Sequence, residues 1–291
     1  YYTQGGILFM AIKIVTDSTA YLPTTLLKEL DIQVVSLNII MNQCSAREVE
    51  IDLCDFYENL ATQNTLPTSS QPSLEEFFDV FKRLTDEGHE VIGIFLSSKM
   101  SGTYSSAHLV KEMVLEQNKA AKIHIIDSLT NCMQMGLMVI EAAKAAQDGA
   151  SSEEIIELVE HIKQNSRFLF TPQTLDYLQK GGRIGGASAL LGNLLQIKPV
   201  LTVQDGVTSV FSKVRTKKKA ILAMIEQLKK DLTNHELGGL VVHNIYCEEE
   251  GLNLANHLEK EFNCQISNQS IGPVIGCHVG PGGIGIAYFV K

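Results

Sequence analysis

Residues 90–115 constrain the fold most: an apolar run, EVIGIFLSS, passes through a hydroxyl- and glycine-containing turn, KMSGT, into YSSAHLVKEMVL. Apolar residues at 91, 92, 94, 95 and 96 leave no polar face, the pattern of a strand covered on both sides in a parallel sheet. A parallel neighbour needs a crossover, so helices must alternate with such strands. The turn is also a candidate anion site. Unpaired N–H groups and the positive end of the helix dipole face whatever lies before residue 103, and Ser101 and Thr103 add hydroxyls. Taken alone, Ser101 is equally an ordinary helix cap.

The required alternation runs through the first half. AIKIVTD (11–17) reads as a strand, 23–30 as a short helix opened by Pro23, 33–41 as one strand and 52–61 as a helix. A polar loop, LPTSSQPS (66–73), precedes a helix over 74–87, with Ser73 and Glu76 as its capping box and Gly88 as its stop. Strand 122–127 and helices 131–148 and 152–164 complete a doubly wound, mainly parallel sheet. From Ser166 the pattern changes: strand 167–171, a glycine-rich turn LQKGGRIGG (178–186), an apolar helix 187–195, and a hairpin of 197–203 and 207–214 around Gln204-Asp205-Gly206. Helix 216–232, strand 239–246, helix 248–262 and strand 265–270 follow, then a glycine-rich turn, GPVIGCHVGPGG (272–283), and a closing strand 284–290. The expectation is an α/β chain of two domains, a mainly parallel doubly wound one over 10–165 and an α+β one with a mixed sheet over 166–291. Residues 1–9, ahead of Met10, are read as an appended segment.

Several function classes fall away. The net charge of -9 argues against nucleic acid as a partner, because phosphate binding needs a dominant basic surface. The six cysteines form no C-x-x-C pair, and no H-E-x-x-H or Walker sequence occurs, so no metal or nucleotide cofactor is expected. GPGGIG (280–285) matches a dinucleotide fingerprint in letters only, since a strand and no helix follows it. The richest apolar stretch, 132–146, is interrupted by Gln134, Glu141 and Lys144 and falls short of the roughly 20 residues of a membrane span. Residues 1–9 lack the basic start and apolar core of a signal peptide. A soluble, cytoplasmic protein with at most transient membrane contact is expected.

Candidate chemistry lies in the polar turns, three of them at the edge where open α/β sheets take ligands. Ser69, Ser70 and Ser101 offer neutral donors, and His278 stands in a glycine-rich stretch. This suits one carboxylate and carries too little charge for a triphosphate. The bland alternatives are a solvated loop for the serines and a packed turn histidine for His278. Arg183 lies between two glycine pairs, where backbone can approach a partner closely or simply turn at the surface. Lys213, Arg215, Lys217, Lys218 and Lys219 form a basic island at a helix start, opposing its dipole.

In this order, LPTSSQPS, SGTYSSA, LQKGGRIGG, IKPVLTVQDG and IGPVIGCHVGPGG resemble the DegV family of bacterial fatty-acid-binding proteins, over residues 10–291. The resemblance implies two α/β domains enclosing one long-chain fatty acid, with no cofactor. It further implies that the protein is a subunit without an ATP site of its own, presenting the acyl carboxylate to a fatty acid kinase ATP-binding subunit that makes acyl phosphate for phospholipid synthesis. Ser69, Ser101, Gly102 and His278 then match the carboxylate-binding positions, and Arg183 and Arg215 match positions for kinase docking or phosphate transfer. Ser69 and Cys277 depart from the threonines familiar at those places, and Lys99-Met100 from Gly-Leu. Two alternatives stand beside this. One is a serine acyl hydrolase with Ser101 as nucleophile and His278 as base, although G-x-S-x-G is absent. The other is a lipid-binding regulatory protein without a kinase.

Overall fold

The computed structural model describes residues 10–60, 65–191 and 197–291. The expected segment 1–9, the end of the helix expected over 52–61, and residues 192–195 of the apolar helix expected over 187–195 lie outside the described residues.

Strands β1 (Ile12–Asp17), β2 (Gln33–Val35), β6 (Glu90–Phe95) and β7 (Ile123–Asp127) form a four-stranded sheet in the order β2-β1-β6-β7, parallel throughout. Every residue of β6 is buried, as its unbroken apolar pattern demands. Helix α1 (Thr24–Glu29) connects β1 to β2, while α3 (Leu74–Asp86) and α4 (Thr103–Gln117) bury Phe77, Phe81 and Val110 against Val15, Val91 and Phe95.

The strand expected over 33–41 is two strands in different sheets. β3 (Asn38–Met41) pairs antiparallel with β4 (Cys44–Arg47) and β5 (Thr68–Ser70), in the order β4-β3-β5. The break falls where side chains take the ladder donors: Ser36 N–H donates to Glu76 Oε1 (3.0 Å) and Leu37 N–H to Ser18 Oγ (3.1 Å). Glu76 is thereby diverted from the expected capping box, of which only Ser73 Oγ accepting from Glu76 N–H remains. Helix α2 (Leu53–Leu60) follows β4 in the chain.

Helix α5 (Cys132–Gln147) packs on β1 from one side and on the second sheet from the other. That explains its apolar sequence: a helix covered nearly all round has little polar face. Helix α6 (Ser152–Gln164) opens with a complete capping box, Ser151 with Glu154. The second sheet runs β10-β9-β8-β13-β11-β12, where β8 is Ser166–Thr171, β9 Lys198–Gln204, β10 Val207–Val214, β11 Leu237–Asn244, β12 Ser267–Ser270 and β13 Ile284–Val290. Its pairs are antiparallel except β11 with β12, so the sheet is mixed as expected. Helices α8 (Lys217–Asp231) and α9 (Glu248–Phe262) cover the face away from α5.

Two stretches expected as glycine-rich turns contain helices. Within 178–186, the tail of α7 (Asp176–Lys180) is followed by a 3-10 turn, Gly185–Leu190, which also replaces the start of the expected helix 187–195. Within 272–283, Pro273–Val279 is a helix, α10. Pro273 occupies its first position, where a missing N–H costs nothing, and Gly280 ends it with φ at +81°. Six of its seven residues are buried, so packing and not propensity makes it helical.

Candidate functional site

A cavity of about 280 Å³ lies between the two main sheets. Leu96, Phe168, Phe170, Ile245, Ile271 and Val279 contribute to an apolar wall, while Ser69, Ser101, Gly102, Arg183 and His278 also line it. These five come from four places in the fold: β5, the turn before α4 (Ser101 and Gly102), the turn after α7, and the end of α10. Arg215 is not among the lining residues; it is exposed in the turn between β10 and α8. Thr216 beside it caps α8 by accepting from Lys219 N–H.

His278 Nε2 lies 2.8 Å from Ser69 Oγ in a hydrogen bond, and its Nδ1 is buried without a partner among the described residues. Burial, aided by the Arg183 guanidinium, pushes its pKa down to about 4, so the imidazole is neutral at pH 7. A buried lone pair without a donor costs less than a buried N–H without an acceptor, which favours the tautomer with hydrogen on Nε2. Nε2–H then donates to Ser69 Oγ, and the Ser69 hydroxyl hydrogen is free to point at a ligand. Gly181 permits this packing: a Cβ there would lie 2.3 Å from Nδ1.

Ser101 Oγ lies 2.9 Å from Thr103 Oγ1 and accepts weakly from Thr103 N–H at 3.3 Å. It thus shares in capping α4 while its oxygen borders the cavity. Gly102 is the N-cap residue, and the Gln71 carboxamide approaches so closely that a Cβ would lie 2.1 Å from Gln71 Oε1. Arg183 Nε donates to Met100 O (3.2 Å) and Nη1 to Gly181 O (2.8 Å), tying the turn that packs on His278 to the turn carrying Ser101. The alternative of a hydrolase with Ser101 as nucleophile and His278 as base lacks its hydrogen bond, because the imidazole bonds Ser69 instead.

Glu48 has no local mark in the sequence; it is 5% exposed and has no cation against it among the described residues. Oε1 accepts from Tyr21 Oη (2.9 Å) and from Val274 N–H at the start of α10 (2.8 Å), and Oε2 accepts from Ser18 Oγ. Burial raises its pKa to about 7. Asp17 is likewise buried and raised to about 6; it accepts from Thr19 N–H and Leu96 N–H and so fixes the ends of β1 and β6. His243 also borders the cavity, but both of its nitrogens are occupied, Nδ1–H by Gln269 O and Nε2 by Met133 N–H. It is a packing residue of the wall.

A family model described as uncharacterised protein, DegV family, matches residues 11–291. A DegV domain-containing protein of Clostridium acetobutylicum is 48% identical over 282 residues, covering 97% of this chain and 99% of that one. The chain belongs to the DegV family. Solved DegV structures have the same fold. The fatty-acid-binding DegV of Bacillus subtilis superposes with a TM-score of 0.86 at 35% identity, covering 97% of this chain and 100% of the other. A stearic acid-binding protein of Eubacterium ventriosum gives 0.88 at 29% identity, covering 96% and 98%. Of the residues marked from the DegV resemblance, Ser69, Ser101, Gly102, His278 and Arg183 border one cavity here, and Arg215 does not. Glu48 went unmarked because REVEID reads as a solvated acidic turn; its burial depends on contact with Val274, 226 residues away.

Proposed function

We propose that this DegV protein binds one long-chain fatty acid in the cavity, with the carboxylate held by Ser69, Ser101 and the Gly102 backbone and with His278 orienting the Ser69 hydroxyl toward it. The observation that carries the reading is an apolar cavity whose lining includes neutral hydrogen-bond donors with unused capacity. Burying about 15 methylenes at roughly 0.8 kcal/mol each contributes on the order of 12 kcal/mol before ordering costs. The tail supplies affinity. A buried carboxylate without partners would forfeit several kcal/mol, so the hydroxyls orient the head and offset its desolvation.

Neutral donors leave the carboxylate oxygen nucleophilic, whereas a guanidinium clamped on it would draw its charge away. This favours a further step in which the head is presented to a separate, ATP-dependent kinase subunit in the cytoplasm. The acyl oxygen would attack the γ-phosphorus of ATP, ADP would leave, and the acyl phosphate would feed phospholipid synthesis. Arg183 and Arg215 suit the phosphate or an acidic partner surface, being exposed guanidiniums on two turns of the second half. Among the described residues no helix is long and apolar enough to cross a membrane.

The test is mass spectrometry of lipid extracted from the purified, denatured protein. One long-chain fatty acid per chain is expected. Lipid-free protein that gains no thermal stability from palmitate or oleate would overturn the reading.

A further inference from the structure

The helix that delivers His278 has little means of holding its own place. α10 has seven residues, below the length at which a helix is stable by itself. Its first-turn N–H groups are taken by side chains from the opposite end of the chain: Val274 N–H donates to Glu48 Oε1 and Ile275 N–H to Tyr21 Oη at 3.1 Å. Tyr21 Oη passes its own hydrogen to Glu48 Oε1, and Ser18 Oγ donates to Oε2. Tyr57 Oη donates to Ile271 O (2.8 Å), just ahead of the helix. Gly272 leaves room for this arrangement, since a Cβ there would meet Tyr21 at 2.6 Å and Glu48 Oε1 at 2.8 Å.

A structural cap does not require a charge. Serine or asparagine would accept the same N–H at a smaller desolvation cost than a carboxylate with no cation beside it. What the longer side chain adds is two oxygens that gather three donors, Ser18 and Tyr21 from the turn after β1 and Val274 from α10. His278 follows Val274 by four residues, one helical turn along the same side. A shift of α10 by about 1 Å would stretch the 2.8 Å contact between Nε2 and Ser69 Oγ beyond hydrogen-bonding range.

We propose that Glu48 is a positioning residue of the carboxylate site: by clamping the first turn of α10 it sets the His278 imidazole against Ser69. The inference rests on the fatty-acid reading above. It assigns the acidic group no contact with lipid and makes its effect run wholly through His278.

The experiment is a double-mutant cycle on the release rate of a bound fluorescent fatty acid, with imidazole ¹⁵N shifts of His278 as a second readout. Glu48→Gln should speed release about five- to tenfold, the scale of one hydrogen bond lost. In a His278→Ala background the same change should alter release by less than about twofold, because the residues act as a unit. Tyr21→Phe, which removes the bridging hydroxyl but keeps the ring, should repeat the pattern and serves if Glu48→Gln does not fold. The His278 shifts should move in either variant. Equal factors in both backgrounds would overturn the clamp, as would a lower melting temperature with unchanged release and unmoved shifts. If wild-type protein binds no fatty acid, the fatty-acid reading fails, while the ¹⁵N shifts still decide whether Glu48 sets the imidazole.

Discussion

The two ends of α10 carry opposite kinds of polar cluster. At its start every oxygen of Glu48 is used, Tyr21 Oη both donates and accepts, and Tyr57 Oη is satisfied by Ile271 O. At its end Ser69 has a hydroxyl that the imidazole leaves free to donate, and His278 Nδ1 has no partner among the described residues. A saturated buried cluster fixes geometry. An unsaturated one beside a cavity has capacity left for a ligand. Burial shifts groups at both ends, raising Glu48 and lowering His278, so perturbed titration does not by itself separate structure from binding.

Gly276→Ala places a Cβ 2.0 Å from the buried Tyr57 hydroxyl. The loss should be about 3 kcal/mol in a urea titration, the upper range for overpacking, with fatty acid lost along with the fold. An unchanged midpoint would mean that α10 is free to shift.

The pH dependence of stability sharpens the same contrast. Folded Glu48 keeps its proton up to about 7, whereas the unfolded carboxyl releases it near 4.5, so this group's contribution falls as pH rises through that window. His278 has the opposite sign. The unfolded imidazole takes up a proton below 6.5 while the folded one stays neutral down to about 4, so stability falls as pH drops through that range. Denaturation of Glu48→Gln should lack the loss seen in wild type between about pH 5 and about pH 8, a difference on the order of 3 kcal/mol. Parallel curves would show that Glu48 is not buried as a carboxylate.

At the unsaturated end the expected effects fall on ligand and not on fold. Ser69→Ala with Ser101→Ala should weaken fatty-acid retention by about 1–3 kcal/mol, the cost of leaving a buried head group short of partners, with little change in melting temperature. Unchanged affinity would reduce both serines to strand and cap. The smallest effect on binding belongs to the arginines. Arg215→Ala should keep its lipid within about 0.5 kcal/mol, and Arg183→Ala, which loses two hydrogen bonds to backbone carbonyls beside the cavity, within about 1.5 kcal/mol. They should slow acyl phosphate formation with a kinase subunit and ATP, tenfold for every roughly 1.4 kcal/mol of transition-state stabilisation lost. Normal rates in both would leave them as surface charges.

The strand at Glu90–Phe95, the turn after it and α4 were legible because burial on two faces and a helix start leave local marks. So were the amphipathic α3, α8 and α9, the hairpin around Gly206 and the mixed closing sheet. What escaped depends on distant partners. Ser36 and Leu37 leave the sheet because Glu76 and Ser18 take their N–H groups, which no local pattern records. The helix at 273–279 is hidden by its glycines, although Pro273 and Gly280 bracket it as start and stop. Ser69, Ser101 and His278 were found as residue types in turns, and the DegV resemblance joined them. That His278 would meet Ser69 and not Ser101 follows from a helix and a strand that were both read as loop.

The placement of β13 has a consequence for how the molecule assembles. Its seven residues, all buried, lie between β8 and β11, and Ile284 pairs with Thr171 only after the intervening chain has been gathered in. Such long loops are slow to close. The parallel sheet needs nothing beyond Asp127 to pair its strands, so it can form early. The cavity cannot, because Ile284, Gly285 and the α10 residues that line it arrive with the final strand. A ligand of the proposed kind would therefore meet a finished receptor, and its stabilising effect should appear in unfolding rates rather than in the speed of folding.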